Sequence, residues 1–168
     1  MLGIVALAGH LGETRLQQKF RDEGKMLAKE LFPELKLVPD GDPVDKYQGI
    51  DAYLNKNGVQ IKYDKTIYDS HNLYHEIYEK TKDRETQEWR QSGSKANFYL
   101  FITKSSETAY GFLIKTNDMA DLETNKPLVK IKPTSIGFLL PMEEVKPRIL
   151  KTKFYKLATC QNPISNND

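Results

Sequence analysis

Three polar side chains, Asp51, Gln60 and Lys62, stand in a segment whose pattern brings them to one surface. A carboxylate and an amide oxygen side by side can hold a hard divalent cation such as Mg2+, which prefers oxygen ligands and keeps several waters. A neighbouring ammonium can orient an attacking water and stabilise charge developing on a phosphate. A metal in such a place polarises the phosphoryl oxygen and lowers the pKa of its bound water. Carboxylate, second oxygen ligand and lysine are a sufficient kit for metal-assisted phosphodiester hydrolysis.

The element that must position them is a β-hairpin over residues 49–62. Two alternating runs flank Asn57-Gly58, a strong hairpin signal. The turn is expected to be either the two residues Asn57-Gly58 or the four residues 55–58. In both cases Asp51 and Tyr53 share a face with Gln60 and Lys62, because strand side chains alternate. Ala52, Leu54, Val59 and Ile61 take the opposite face, and all four are apolar. That face is expected to be buried, leaving the polar one free.

Asp51, then eight residues, then Gln60-Ile61-Lys62, resembles the active-site hairpin of the PD-(D/E)XK nuclease superfamily, which includes restriction endonucleases and Holliday-junction resolvases. The resemblance implies that Asp51 binds metal and that Gln60 fills the position usually held by Glu or Asp. It further implies that the Ile61 carbonyl faces the metal and that Lys62 is the catalytic lysine. Two features depart from the pattern. Gln60 removes one negative charge, and the proline that names the motif is displaced to Pro39-Asp40, in a loop also carrying Asp42 and Asp45. Asp45 is the alternative metal acid, ranked after Asp51. The family often carries a Glu on the helix before the sheet. Glu13 matches that role by position, and a first-turn Glu stabilised by the helix dipole is the other reading.

Residues 11–32 read as that helix, with Leu16, Phe20, Leu27 and Leu31 on one stripe and Glu13 on the same stripe. Gly24 interrupts it and Pro33 ends it. Strands are expected at 35–38, 97–103, 110–114, 128–131, 136–140 and, as an edge, 151–157. Helices are expected from Asp69 or Ser70 to Lys80, and from Asn117 or Asp118. This order fits an α/β fold with a mixed central β-sheet flanked by helices, and it is the order expected of a restriction endonuclease-like core.

Other chemistry is less complete. His71 and His75 stand four apart on the predicted second helix, a spacing that can share a metal, but the zinc-protease pattern needs Glu where Asn72 stands. Both are read as exposed, and His71 as a possible phosphate contact. Gly9-His10-Leu11-Gly12 lacks the Gly-Lys-Ser/Thr ending of a phosphate loop. Lys65, His71, Arg84, Arg90 and Lys95 are candidate nucleic-acid contacts that follow the hairpin, with Tyr68, Tyr74 or Trp89 available for stacking. Lys146, Arg148, Lys151, Lys153 and Lys156 form a second basic cluster.

The chain has 168 residues, 29% charged and 39% hydrophobic, with a net charge of +2. That length suits one domain with a sizeable core, here 1–160 followed by a polar tail at 161–168. The near-neutral balance neither demands nor forbids a polyanionic partner. A single cysteine, Cys160, rules out an intramolecular disulfide and fits a reducing, cytoplasmic setting. The apolar start, residues 1–9, is too short to span a membrane. The expected function is a Mg2+- or Mn2+-dependent endonuclease acting on DNA, with RNA left open. Nucleases of this kind often act as homodimers. The alternative is a non-catalytic nucleic-acid-binding or assembly module on the same fold.

Overall fold

The computed structural model describes residues 15–80, 89–91 and 94–157. The first helix, α1 (Arg15–Leu31), is built mostly of good helix formers, and Pro33 lies just beyond its end. Among the described side chains, its apolar stripe is buried in the second half. Leu27, Ala28 and Leu31 are covered, whereas Phe20 is 39% exposed. The helix runs on through Gly24, where the missing side chain permits a close approach. A Cβ there would stand 2.7 Å from the Tyr63 Cβ. Residues 11–14, Glu13 included, and the Leu16 side chain lie outside the described residues.

The chain continues through β1 (Lys36–Leu37), α2 (Pro43–Gln48), β2 (Ala52–Leu54), β3 (Asn57–Tyr63), α3 (Thr66–Ser70), β4 (Asn72–Lys80) and β5 (Trp89–Gln91). Then come β6 (Phe98–Lys104), β7 (Thr108–Lys115), α4 (Thr116–Glu123), β8 (Val129–Lys132), β9 (Ser135–Pro141), α5 (Met142–Val145) and β10 (Lys151–Lys156). Six strands form one mixed sheet in the order β1-β2-β3-β6-β7-β10, and four form a second in the order β5-β4-β9-β8. Within the first sheet β3 and β6 are parallel and every other pairing is antiparallel. The α/β reading of the sequence therefore holds: a mixed sheet with helices packed on it.

The first sheet is covered on both faces. Leu27, Ala28, Leu31 and Phe32 pack over Ala52, Val59, Leu100, Ile102 and Leu113. On the other side Tyr99, Phe101, Phe112 and Ile114 meet Ile67 of α3, Met119 of α4, Val145 of α5, and Leu73 and Leu140 of the second sheet. The strands predicted at 97–103 and 110–114 appear as β6 and β7, and the expected edge strand is β10.

Asn72–Lys80, expected to be helical, is a strand. The preceding helix, α3, ends at Ser70. His71 closes it in a left-handed conformation at φ 54°, and β4 follows, pairing with β9. Leu73, Tyr74, Ile77 and Tyr78 fit helical spacing, but two of these residues are aromatic and one β-branched, types that favour strands. Long-range pairing with β9 decides the outcome. The hairpin turn is also displaced. Leu54 pairs with Asn57, so the reversal is Asn55-Lys56, with Asn55 at φ 58°, and Asn57-Gly58 belong to β3. Gly58 serves close packing there, since a Cβ would meet Ile50 at 2.9 Å.

Candidate functional site

The displaced turn preserves the facing of the side chains. Both expected registers and the observed one, Ala52 opposite Val59, pair an even-numbered residue with an odd-numbered one. Ala52 and Val59 are fully buried beneath α1, with Leu54 and Ile61 packed at the margin of the same cluster. The paired register ends at Ala52; the Asp51 N–H turns to Val59 O, so Asp51 lies just outside the ladder and no pairing of Asp51 with Gln60 forms. Gln60 and Lys62 lie beside Tyr99 and Phe101 of β6.

Asp51 is anchored by three contacts. Its N–H donates to Val59 O at 2.9 Å, its carbonyl accepts from Val38 N at 2.9 Å, and its carboxylate Oδ2 accepts from Ile61 N at 2.8 Å. Because β2 begins at Ala52, the Ile61 N–H has no strand partner on that side, and the carboxylate takes the place of one. The side chain is thus held where the antiparallel hairpin meets the parallel β3–β6 pair.

The loop between Val38 and Asp51 folds back over this point. Asp42 caps α2 by accepting from Val44 N at 2.8 Å, Pro43 starts the helix, and Gly49 ends it at φ 61°. That short turn carries Asp45 next to Asp51. The two acids, read from sequence as alternatives, are companions in the structure. Burial pushes the Asp51 carboxyl above its usual range, and the Asp45 charge adds to that. The Ile61 N–H, Lys25 and Lys62 pull the other way without cancelling it. Lys62 therefore lies within electrostatic reach of Asp51.

Lys25 was not singled out from the sequence. It projects from α1 with only 8% of its surface exposed. Its Nζ lies 2.5 Å from Asp40 Oδ1 and 3.7 Å from Asp45 Oδ2. A signal was present. Lys25, Ala28 and Phe32 fall at helical spacing, and the two apolar members are completely buried. A lysine on such a stripe needs an acidic partner. The Asp of the displaced Pro39-Asp40 pair is one of the acids that meet it.

Two neighbouring carboxylates, Asp45 and Asp51, suit a hard cation that keeps most of its waters. Among the described residues no three His, Cys, Asp or Glu side chains converge as a ligand set, so neutral oxygens and water would complete any coordination here. Glu13 lies outside the described residues. Arg15, the first described residue of α1, stands ten residues before Lys25, roughly 15 Å of helix rise.

The candidate nucleic-acid contacts do not form one track. Lys95 is exposed, and its N–H donates to Gln48 O at 2.8 Å, close to the Asp51 end of the hairpin. Lys65 lies at the opposite end of β3, 3.4 Å from Glu23 and over the Phe20 ring. His71 is exposed. Arg84 and the Arg90 side chain lie outside the described residues, and Arg90 falls on β5. Of the second basic cluster, Lys151 and Lys153 pair with Glu34, and Arg148 pairs with Asp118. Tyr74, named as a stacking ring, binds Ser135 through its hydroxyl at 2.7 Å.

His75 departs furthest from its predicted setting. It is 5% exposed on β4, with Nδ1 bound to Glu123 of α4 and its ring edge-on to Tyr99 at 4.6 Å. It is a buried, partnered side chain rather than an exposed helical one. Among the described residues no helix is long and apolar enough to cross a membrane. No family model, curated protein or solved structure matches the chain.

Proposed function

We propose that the chain is a metal-dependent nuclease of the PD-(D/E)XK type, hydrolysing phosphodiester bonds in DNA. The observation that carries this reading is the Asp51 carboxylate. The Ile61 N–H pins it, Asp45 crowds it, and Lys62 acts on it at the mouth of one hairpin. The element order adds support: a helix, three antiparallel strands, then a strand parallel to the third. An α3–β4–β5 excursion enlarges the crossover from β3 to β6 beyond a single helix.

In this reading Asp51 and Asp45 hold Mg2+ or Mn2+, with Gln60 as a neutral oxygen donor, and the ion supplies Lewis-acid polarisation of the phosphate. The protein's own groups do the rest. The Ile61 N–H fixes the carboxylate so that it does not reorganise as charge moves. Lys62 orients the attacking water and neutralises negative charge growing on the phosphoryl oxygens. The water oxygen forms a bond to phosphorus and gives up a proton to solvent, the ester P–O bond breaks, and the departing alkoxide takes up a proton from solvent. Lys95, beside the Asp51 end, is placed to contact the flanking backbone.

Plasmid nicking or linearisation in Mg2+ or Mn2+, with EDTA as the control, tests the proposal. Cleavage that needs the metal and is lost in Lys62→Ala supports it, and full activity in that variant overturns it. A second reading, a non-catalytic nucleic-acid-binding or assembly module, is favoured by one feature: Lys25 already neutralises part of the acidic cluster. DNA binding without cutting in any divalent metal selects that reading.

A further inference from the structure

The parallel strands β3 and β6 bring their carboxyl ends, Tyr63 and Lys104, to the same edge of the first sheet. Asp64 ties the two together there, its N–H donating to Ile102 O at 2.9 Å. In open α/β sheets such carboxyl ends are where ligands gather. Beside this edge a cleft of about 330 Å³ opens, lined by Lys19, Phe20 and Glu23 of α1 and by Lys65. We propose that this cleft binds a nucleotide, with its phosphate received by Lys19 and Lys65 and its base laid against Phe20. The cleft lies at the other end of β3 from Asp51, so it stands or falls apart from the metal-dependent reading of the hairpin.

Charge is the first support. Glu23 is bound by Lys104, and that bond holds its carboxyl below the usual range although burial works against it. Lys65, at 3.4 Å, is a looser second partner of the same carboxylate. Lys19 is exposed and has no partner among the described residues. The neighbouring acids are engaged elsewhere. Asp64 accepts from Thr66 N at 2.8 Å and from Thr66 Oγ1 at 2.7 Å, and Asp22 accepts from Gln18 at 2.9 Å. Three lysines therefore stand against one carboxylate, and the excess draws an anion whose oxygens several ammoniums can share. The second support is Phe20. It is 39% exposed, tilted on the Tyr63 ring with centroids 6.2 Å apart, and has Lys65 Nζ 4.5 Å from its ring centre. A bare anion has no use for that ring, whereas a base stacks on it. The volume lies at the lower end of the roughly 300–1,000 Å³ of small-molecule sites, room for one nucleotide rather than a duplex.

Calorimetric titration of the full chain in EDTA, which removes any metal contribution from the hairpin, tests the proposal. Binding of dAMP is expected, with inorganic phosphate and deoxyadenosine each about tenfold weaker or worse. Lys19→Gln and Lys65→Gln are each expected to weaken dAMP by about tenfold, and Phe20→Leu, which keeps an apolar side chain and removes the ring, by about fivefold. Lys151→Met should leave dAMP binding unchanged. All three cleft side chains are exposed, so circular dichroism of these variants should match the unmodified protein. A short DNA strand with and without a terminal phosphate separates the sources of the ligand. Tighter binding of the phosphorylated strand assigns the cleft to strand ends, and equal binding of the two assigns it to free nucleotides. Phosphate binding as tightly as dAMP overturns the nucleotide assignment. No dAMP binding, or binding unchanged in Lys65→Gln and Phe20→Leu, overturns the site and leaves the hairpin reading untouched.

Discussion

Two clusters of acids and lysines in this protein behave in opposite ways. Around Asp51 the carboxyl is pushed up, because burial and the Asp45 charge outweigh the Ile61 N–H and two lysines. Around Glu34 it is pulled down to about 2, chiefly by the hydrogen bond from Lys151 and also by the charge of Lys153. Lys151 Nζ lies 2.8 Å from Glu34 Oε1 and Lys153 Nζ 3.6 Å from Oε2. The residue types are the same and the outcomes differ because of water. Glu34 is better solvated, so the hydrogen bonds from Lys151 and from its own backbone N–H outweigh the modest loss of water. Asp51 has lost its hydration to the hairpin, and crowding by a second acid adds to that loss. Strain of this kind marks sites where a ligand is expected to complete the charge balance.

The comparison breaks most sharply in activity. Lys62→Met and Asp51→Asn are each expected to lower the rate of metal-dependent plasmid nicking by roughly 10²–10³-fold, with Tm unchanged or raised. Lys151→Met should leave the rate intact. Nicking equally sensitive to Lys151 would mean that the two clusters do not differ as argued.

Next in size is the seating of α1 on β3, which carries Lys25 to the acids. Gly24→Ala forces a Cβ against Tyr63, an overpacking expected to cost about 1–3 kcal/mol. Urea denaturation should show it. A neutral result would mean that the helix can lift without disturbing the sheet.

The pH dependence of stability separates the clusters by sign. A raised folded-state pKa means that the folded protein holds the Asp51 proton more tightly than the unfolded chain does. The Asp51 contribution is therefore most favourable below the ordinary value of 3.8 and declines as pH rises through the raised value. Asp51→Asn removes that decline and should raise Tm at neutral pH. A lower Tm at neutral pH would show that burial does not dominate at Asp51.

The smallest effect belongs to Glu34. Its contribution is present above the ordinary 4.5 and is lost as pH falls from there to about 2. Because the pair is solvated, Glu34→Gln should cost no more than about 1 kcal/mol at neutral pH, measured by thermal unfolding between pH 2 and 7.

Much of the first sheet was legible because its signals are local. Period-two alternation in 52–54 and 59–61 identified the buried face of the hairpin. The apolar run at β6 and the edge character of β10 needed no partner to be read. The turn was misplaced because Asn57-Gly58 is a turn signal only when no packing demand uses the glycine, and here Ile50 does. Of the second sheet, β8 and β9 were legible as the strands expected at 128–131 and 136–140, but β4 was not. Its strand β4 carries an aromatic and β-branched pattern that also fits a helix, and only pairing with β9 from a distant segment distinguishes the two. His75 went with it, since its partner Glu123 is remote in sequence.

The sequence by itself determined that Ala52 and Val59 share the buried face of the hairpin and that Gln60 and Lys62 share a face of β3, because alternation along paired strands survives any odd–even register. Only the tertiary structure decided what surrounds Asp51. Asp45 arrives through a capped turn and Lys25 through a helix packed on the sheet. Whether a carboxyl is stabilised or strained depends on how much water is removed and which charges replace it, and those are properties of distant segments brought together.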